Sequence, residues 1–359
     1  MMKRLIASFA IVAALGGSAH AVDAGLARSI VADAAGNYVQ PGYWDLAEAA
    51  AGMRKRVEAL CARPSQNGLD AARRQFSDAV DAWSAIEMIR FGPVTENNRL
   101  ERILYWPDRR SIGLKQVQGI LAEKDPSATV PDTLEQKSVA VQGFGALEFV
   151  LFGTGSEALA AGDAYRCAFG NAIAVNLERR AREVEDAWTT PGGFLKTWTE
   201  PGAGNPLYRD EQEALGEVID ALIHGLEMVR DVRLNGFLGE TAEDDKPRGA
   251  LFWRSGKTIA TLKYNLGSLA RLFEVSGLAR TLPNDAEWIA SSVAFEFDNA
   301  RNALAPLAGM PIDKVLADPQ MRGKLAYVRL VTSSLSDIVG RHLTGALGLT
   351  AGFSSLDGD

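Results

Sequence analysis

Residues 69–86, LDAARRQFSDAVDAWSAI, decide the fold class. Leu69, Ala72, Phe76, Val80, Trp83 and Ile86 recur at steps of three and four, the spacing of one face of an amphipathic helix. Leu215, Val218, Leu222, Leu226 and Val229 repeat the pattern, and so do Leu325, Val328, Val331, Leu335 and Ile338. Alanine, the strongest helix former, is abundant throughout. Alternating runs of period two bounded by turn dipeptides are nearly absent, so the chain reads as all-α. The spacing predicts helices over 24–35, 43–62, 69–90, 97–105, 111–123, 132–151, 163–188, 210–233, 254–275, 284–307 and 319–346. Pro41-Gly42, Gly92-Pro93, Pro191-Gly192-Gly193 and Pro201-Gly202-Ala203-Gly204 punctuate them. Long helices joined by short loops form bundles. Two antiparallel, four-helix-bundle-like domains fit the length, over 22–190 and 205–359, with glycine and proline concentrated between them.

The 359 residues are 47% hydrophobic and 23% charged, the balance of a soluble globular protein and not of a disordered, collagenous or polytopic membrane chain. With 45 acidic against 38 basic residues the net charge is −7, which speaks against a nucleic-acid partner. Residues 1–21 read as a secretory signal peptide: Lys3 and Arg4 precede the apolar stretch Leu5 to Leu15, and Ser18-Ala19-His20-Ala21 supplies a small-x-small site cut after Ala21. No later apolar run has the length of a transmembrane span. Cleavage leaves 359 less 21, or 338 residues, and −7 less the charges of Lys3 and Arg4, or −9. Only His224 and His342 then remain. In an oxidising compartment Cys61 and Cys167 are expected to form a disulfide, with two buried free thiols as the alternative.

Several segments occur in a recognisable order: Arg90-Phe91-Gly92-Pro93, Tyr105-Trp106-Pro107-Asp108-Arg109-Arg110, Gln142 to Gly153, Tyr165-Arg166-Cys167, Phe252 to Thr258, Asn265-Leu266-Gly267-Ser268-Leu269, and a terminal Gly352 to Asp359. In this series the chain resembles the imelysin-like proteins, the peptidase M75 superfamily, over nearly its whole mature length. The resemblance implies an envelope location, here the periplasm, and an all-α fold of two related bundles. It also implies links to iron uptake, and in some members metallopeptidase activity. The family's Gly-x-His-x-x-Glu signature, proposed to hold a metal such as iron or zinc, corresponds to Gly143-Phe144-Gly145-Ala146-Leu147-Glu148. Its histidine position is Gly145, which donates nothing. Catalytic zinc usually needs three protein ligands, often two of them imidazoles, and no His-Glu-x-x-His helix occurs.

Glu148 lies in an apolar run, where a carboxylate must be paired or shift its pKa. It reads either as a ligand-contacting or metal-binding acid, or as a structural acid paired with Arg90, Arg109 or Arg254. Trp106, Asp108 and Arg109 read as the lining of a cleft or as a rigid corner in which Asp108 caps the next helix. Arg254-Ser255-Gly256-Lys257-Thr258 has the end of a phosphate loop but Leu251 in place of its first glycine, so nucleotide binding is rejected. A helix N-terminus there can hold an anion or carboxylate, which makes Arg254 and Ser255 further site candidates. Trp83, Trp188, Trp198 and Trp288 read as packing residues. These readings converge on a non-catalytic exported protein that binds a small ligand, a metal complex or an envelope iron-uptake partner between bundles. The alternatives are a metallopeptidase with an altered metal site around Glu148 and an envelope scaffold.

Overall fold

The computed structural model describes residues 22–349. The signal peptide expected over 1–21 and the terminal motif Gly352 to Asp359 lie outside the described residues. Every regular element among the described residues is helical, and no helix among them is long and apolar enough to cross a membrane.

The long helices start where a side chain can accept the orphan N–H groups of the first turn. Ser65 Oγ accepts from Gly68 at the head of Gln66–Ser84, and Asp163 accepts from Arg166 at the head of Ala164–Thr189. Asp210 accepts from two N–H groups of Glu211–Glu227. Asp318 does the same for Pro319–Asp337, whose proline occupies a position where no N–H is needed. The periodic apolar faces then meet. Helix Gln40–Ala62 packs against Gln66–Ser84 and Ala164–Thr189, and Thr258–Val275 and Pro319–Asp337 pack on Trp288–Leu304. Helix Ala24–Ala34 lies along Glu211–Glu227, and Gln66–Ser84 touches Thr258–Val275, so the core runs continuously through the molecule. Cys61 and Cys167 are disulfide-bonded with Cα atoms 5.5 Å apart, tying helix 40–62 to helix 164–189.

Two expectations fail for local reasons. Pro41-Gly42 does not break the chain: Ala24–Ala34 runs through a π turn, Ala35–Val39, into Gln40–Ala62 with Pro41 inside it. The ring of Pro41 would clash with the carbonyl of Asn37 and leaves it without an N–H donor. The wider π turn makes room, and the Nη2 of Arg271 donates to that carbonyl at 3.2 Å. The helix expected over 132–151 is split into Pro131–Glu135 and Phe144–Phe152. Between them the buried Gln142 amide donates to the carbonyls of Lys137 (2.8 Å), Ser138 (3.2 Å) and Glu135 (3.3 Å), the last contact being the weakest, and its oxygen accepts from Arg102. Gly143 then passes so close to Ile103 that a Cβ would sit 2.4 Å from its carbonyl oxygen. This close approach explains the glycine of the signature stretch without any ligand.

Trp83, Trp188 and Trp198 are buried as expected, but Trp288 is about half exposed, with its ring 5.1 Å from that of His342. Trp188 stacks edge-on with Phe91, Phe194 and Trp198, Trp198 also meets Phe91 edge-on, and Trp198 Nε1 donates to the Ala214 carbonyl at 2.9 Å. The glycine- and proline-rich stretch is thereby anchored to the core.

Candidate functional site

Glu148 sits in the short helix Phe144–Phe152, every residue of which from Ala146 to Leu151 is buried. Its carboxylate cannot reach water and finds donors 107 residues downstream instead: Oε1 accepts from the Ser255 backbone N–H at 2.9 Å and the Ser255 hydroxyl at 2.8 Å. Those donors are offered by a tight turn before helix Thr258–Val275. Phe252 (φ 56°) and Gly256 (φ 69°) are both left-handed there, Lys257 N–H bonds the Phe252 carbonyl, and Thr258 Oγ1 bonds the Leu251 carbonyl. The turn expected to hold an anion therefore holds one supplied by the chain itself. The bond also joins the 22–190 stretch to the 205–359 stretch.

Burial pushes the Glu148 carboxyl above its ordinary range, while the two Ser255 donors and the Arg254 guanidinium oppose the rise. A folded-state pKa above 4.5 means that the folded chain binds more protons than the unfolded one just above that pH. Glu148 thus lowers stability as pH climbs from about 4.5 toward the raised value. Glu148→Gln keeps an acceptor for Ser255 without the charge, so its stability relative to the parent is expected to increase with pH across this window. Glu148→Ala leaves the Ser255 backbone N–H without an acceptor and its hydroxyl with the Phe252 carbonyl alone, and is expected to cost about 1–3 kcal/mol. Urea denaturation of both variants between pH 4 and pH 8 checks this; equal losses in the two variants contradict it.

Arg254 alone of the three arginines proposed as partners faces Glu148. Its guanidinium lies 5.4 Å from the Phe149 ring and 4.5 Å from the Trp253 ring. Arg90 lies beside Met228, its Nη1 3.7 Å from the sulfur, near the buried Glu87–Arg233 pair. Arg109 is exposed on the Trp106-Pro107-Asp108 corner. Asp108 caps the helix Ile112–Glu123, its carboxylate accepting from Ile112 N–H at 2.7 Å and Leu114 N–H at 3.2 Å. Trp106 is partly buried against the core. The structure thus gathers Glu148, Arg254 and Ser255, and leaves Trp106, Asp108, Arg109 and Arg90 with other partners or none at this place.

A metal ion does not fit these donors. One oxygen of the buried carboxylate already accepts from one N–H and one O–H, and the charged neighbour of the group is a cation. The signature's histidine position, Gly145, is on the exposed side of the helix, where an added Cβ meets nothing within 4 Å. His342 faces Asp337 and Trp288, and His224 faces Glu217. Among the described residues no three His, Cys, Asp or Glu side chains come together as a metal site.

Beside Arg254 opens a cavity of about 590 Å³. Arg254, Trp253, Lys246, Arg248, Ile312 and Asp313 line it. Trp253, Arg248 and Asp313 carry no signal in the sequence, because the cavity forms only where residues 246–254 meet residues 312–313.

The model of the family Imelysin (Peptidase_M75) matches residues 39–337. No curated protein matches the chain. An imelysin-like protein from Psychrobacter arcticum 273-4 superposes with a TM-score of 0.75 at 22% identity, over 93% of this chain and 100% of that one. A "putative iron-regulated protein A precursor" from Parabacteroides distasonis ATCC 8503 superposes with a TM-score of 0.73 at 14% identity, over 92% of this chain and 97% of that one. At these identities the likeness is one of fold.

Proposed function

The chain belongs to the imelysin family, and on that premise we propose that it is an exported, periplasmic, non-catalytic member that binds a small ligand or metal complex beside Glu148. The observation that carries this reading is the engagement of Glu148 by Ser255, which uses the motif carboxylate as a structural clasp. The clasp presents Arg254 and Trp253 to a cavity whose size suits a small molecule. Glu148 and Ser255 act as positioning residues and Arg254 contacts the ligand. A role in iron acquisition is supported by the name of the Parabacteroides neighbour. Export rests on the signal pattern ending at Ala21, and the mature protein is expected to begin at Val22.

A peptidase needs an activated water or a nucleophile with a base, and the clasp offers neither. Incubation of the mature protein with insulin and with casein, with and without a chelator, tests this. No cleavage is expected. Chelator-sensitive cleavage that Glu148→Gln abolishes contradicts the reading.

A further inference from the structure

The cavity beside the clasp has an unusual charge for this protein. The mature chain carries a net charge of −9, yet Lys246, Arg248 and Arg254 all line one cavity, with Asp313 the single acid among its lining residues. The carboxylate of Glu148, buried behind the wall, offsets Arg254 in part. Among the described residues the side chains of Lys246, Arg248 and Arg254 make no hydrogen bond or ion pair. The two guanidiniums instead share one indole: Arg254 lies 4.5 Å and Arg248 5.8 Å from the Trp253 ring centroid. A guanidinium held over an aromatic face keeps its in-plane N–H groups free, and those groups match the two oxygens of a carboxylate or phosphate.

The floor of this arrangement is fixed. Glu148 pins Ser255 from below, and Phe252, Ser255 and Thr258 bond the turn to itself. Arg254 is also sandwiched by the Phe149 ring, so its orientation is set before any ligand arrives. Preorganised donors of this kind bind without paying further ordering entropy. Ile312, only 3% exposed, adds an apolar surface to the lining, and the exposed Asp313 adds one acceptor.

We propose that this cavity binds a small polyanion bearing carboxylate or phosphate groups, gripped by the two arginines that share the Trp253 ring, Arg248 and Arg254. The inference rests on the reading of the cavity as a ligand site and narrows it to one chemical class. The same carboxylates can arrive free or wrapped around a ferric ion, and both sources present the same oxygens to the arginines.

Calorimetric titration of the mature protein with citrate, ferric citrate and inorganic phosphate tests the proposal and separates the sources. At least one of the three is expected to bind, and Arg254→Gln to weaken it by about tenfold or more, the scale of one lost charged hydrogen bond. Arg248→Gln, at an exposed rim position, is expected to weaken it similarly without disturbing the fold, which circular dichroism verifies. Tighter binding of ferric citrate than citrate assigns the chelate as the source; the reverse assigns the free anion. Absence of binding by all three probes, or binding unchanged in the double arginine variant, overturns the proposal. Binding of the neutral N-acetyltryptophanamide with equal affinity in parent and arginine variants overturns the anionic class while leaving a ligand-binding cavity in place. Chelator-sensitive proteolysis instead removes the functional reading on which the inference rests.

Discussion

Replacing both cysteines, Cys61→Ser with Cys167→Ser, is expected to lower the unfolding free energy by about 4–5 kcal/mol in the chain-entropy treatment. The bond spans 106 residues and joins the last turn of helix 40–62 to the first turn of helix 164–189. These two helices pack against each other along their lengths, so the bond closes a loop that already includes much of the core. Its main effect is on the unfolded chain, which loses the freedom to separate these segments. Urea denaturation of parent and double variant, compared with dithiothreitol treatment of the parent, measures the effect. A loss below about 1 kcal/mol would mean that the unfolded chain keeps the two segments together without the bond.

The second large effect lies at Glu87. Its side chain is 1% exposed and meets Arg233, 4% exposed, at 2.6 Å. Asn265, fully buried, donates to the other Glu87 oxygen and to the Ser84 carbonyl, both at 2.8 Å. Three segments therefore meet on one carboxylate: the turn after helix 66–84, the π turn Met228–Leu234 and helix 258–275. Glu87→Ala removes the acid, leaves the buried guanidinium of Arg233 without its partner and leaves the Asn265 amide with the Ser84 carbonyl alone. The expected cost is about 3–5 kcal/mol, the scale found when one partner of a buried pair is deleted. The double change Glu87→Leu with Arg233→Met removes both charges together and is expected to recover a substantial part of the loss. A double-mutant cycle in urea measures the coupling; additive losses would show that the pair does not act as a unit.

The helical class was legible because burial on one face imposes a three- and four-residue rhythm, and that rhythm runs through the long helices. The breaks were less legible. Pro41 reads as a stop, and only the wider π turn before it and the Arg271 guanidinium that donates to the Asn37 carbonyl, 234 residues away in sequence, show how the helix continues. The gap at 136–143 is carried by the side chain of Gln142, and no local propensity encodes that substitution for backbone hydrogen bonds. At the site, an acid inside an apolar run pointed to Glu148, and the helix-start pattern pointed to Arg254 and Ser255. The same signal is present at Ile86-Glu87-Met88-Ile89 and marks another buried carboxylate. The choice among Arg90, Arg109 and Arg254 was open because arginines are common and their reach depends on tertiary packing. Trp253 and Arg248 come to line one cavity only when residues 246–254 meet residues 312–313, and no spacing rule predicts such a meeting.

A carboxylate held by Ser255 rather than by an ion has a direct consequence for metal content. Elemental mass spectrometry of the mature protein, purified without chelators, counts the zinc and iron per chain in parent, Glu148→Gln and Arg248→Gln forms. The clasp predicts no stoichiometric zinc and no metal whose presence depends on Glu148; any iron carried as an anionic complex is lost in Arg248→Gln and kept in Glu148→Gln. One equivalent of zinc or iron that disappears in Glu148→Gln and persists in Arg248→Gln would contradict it.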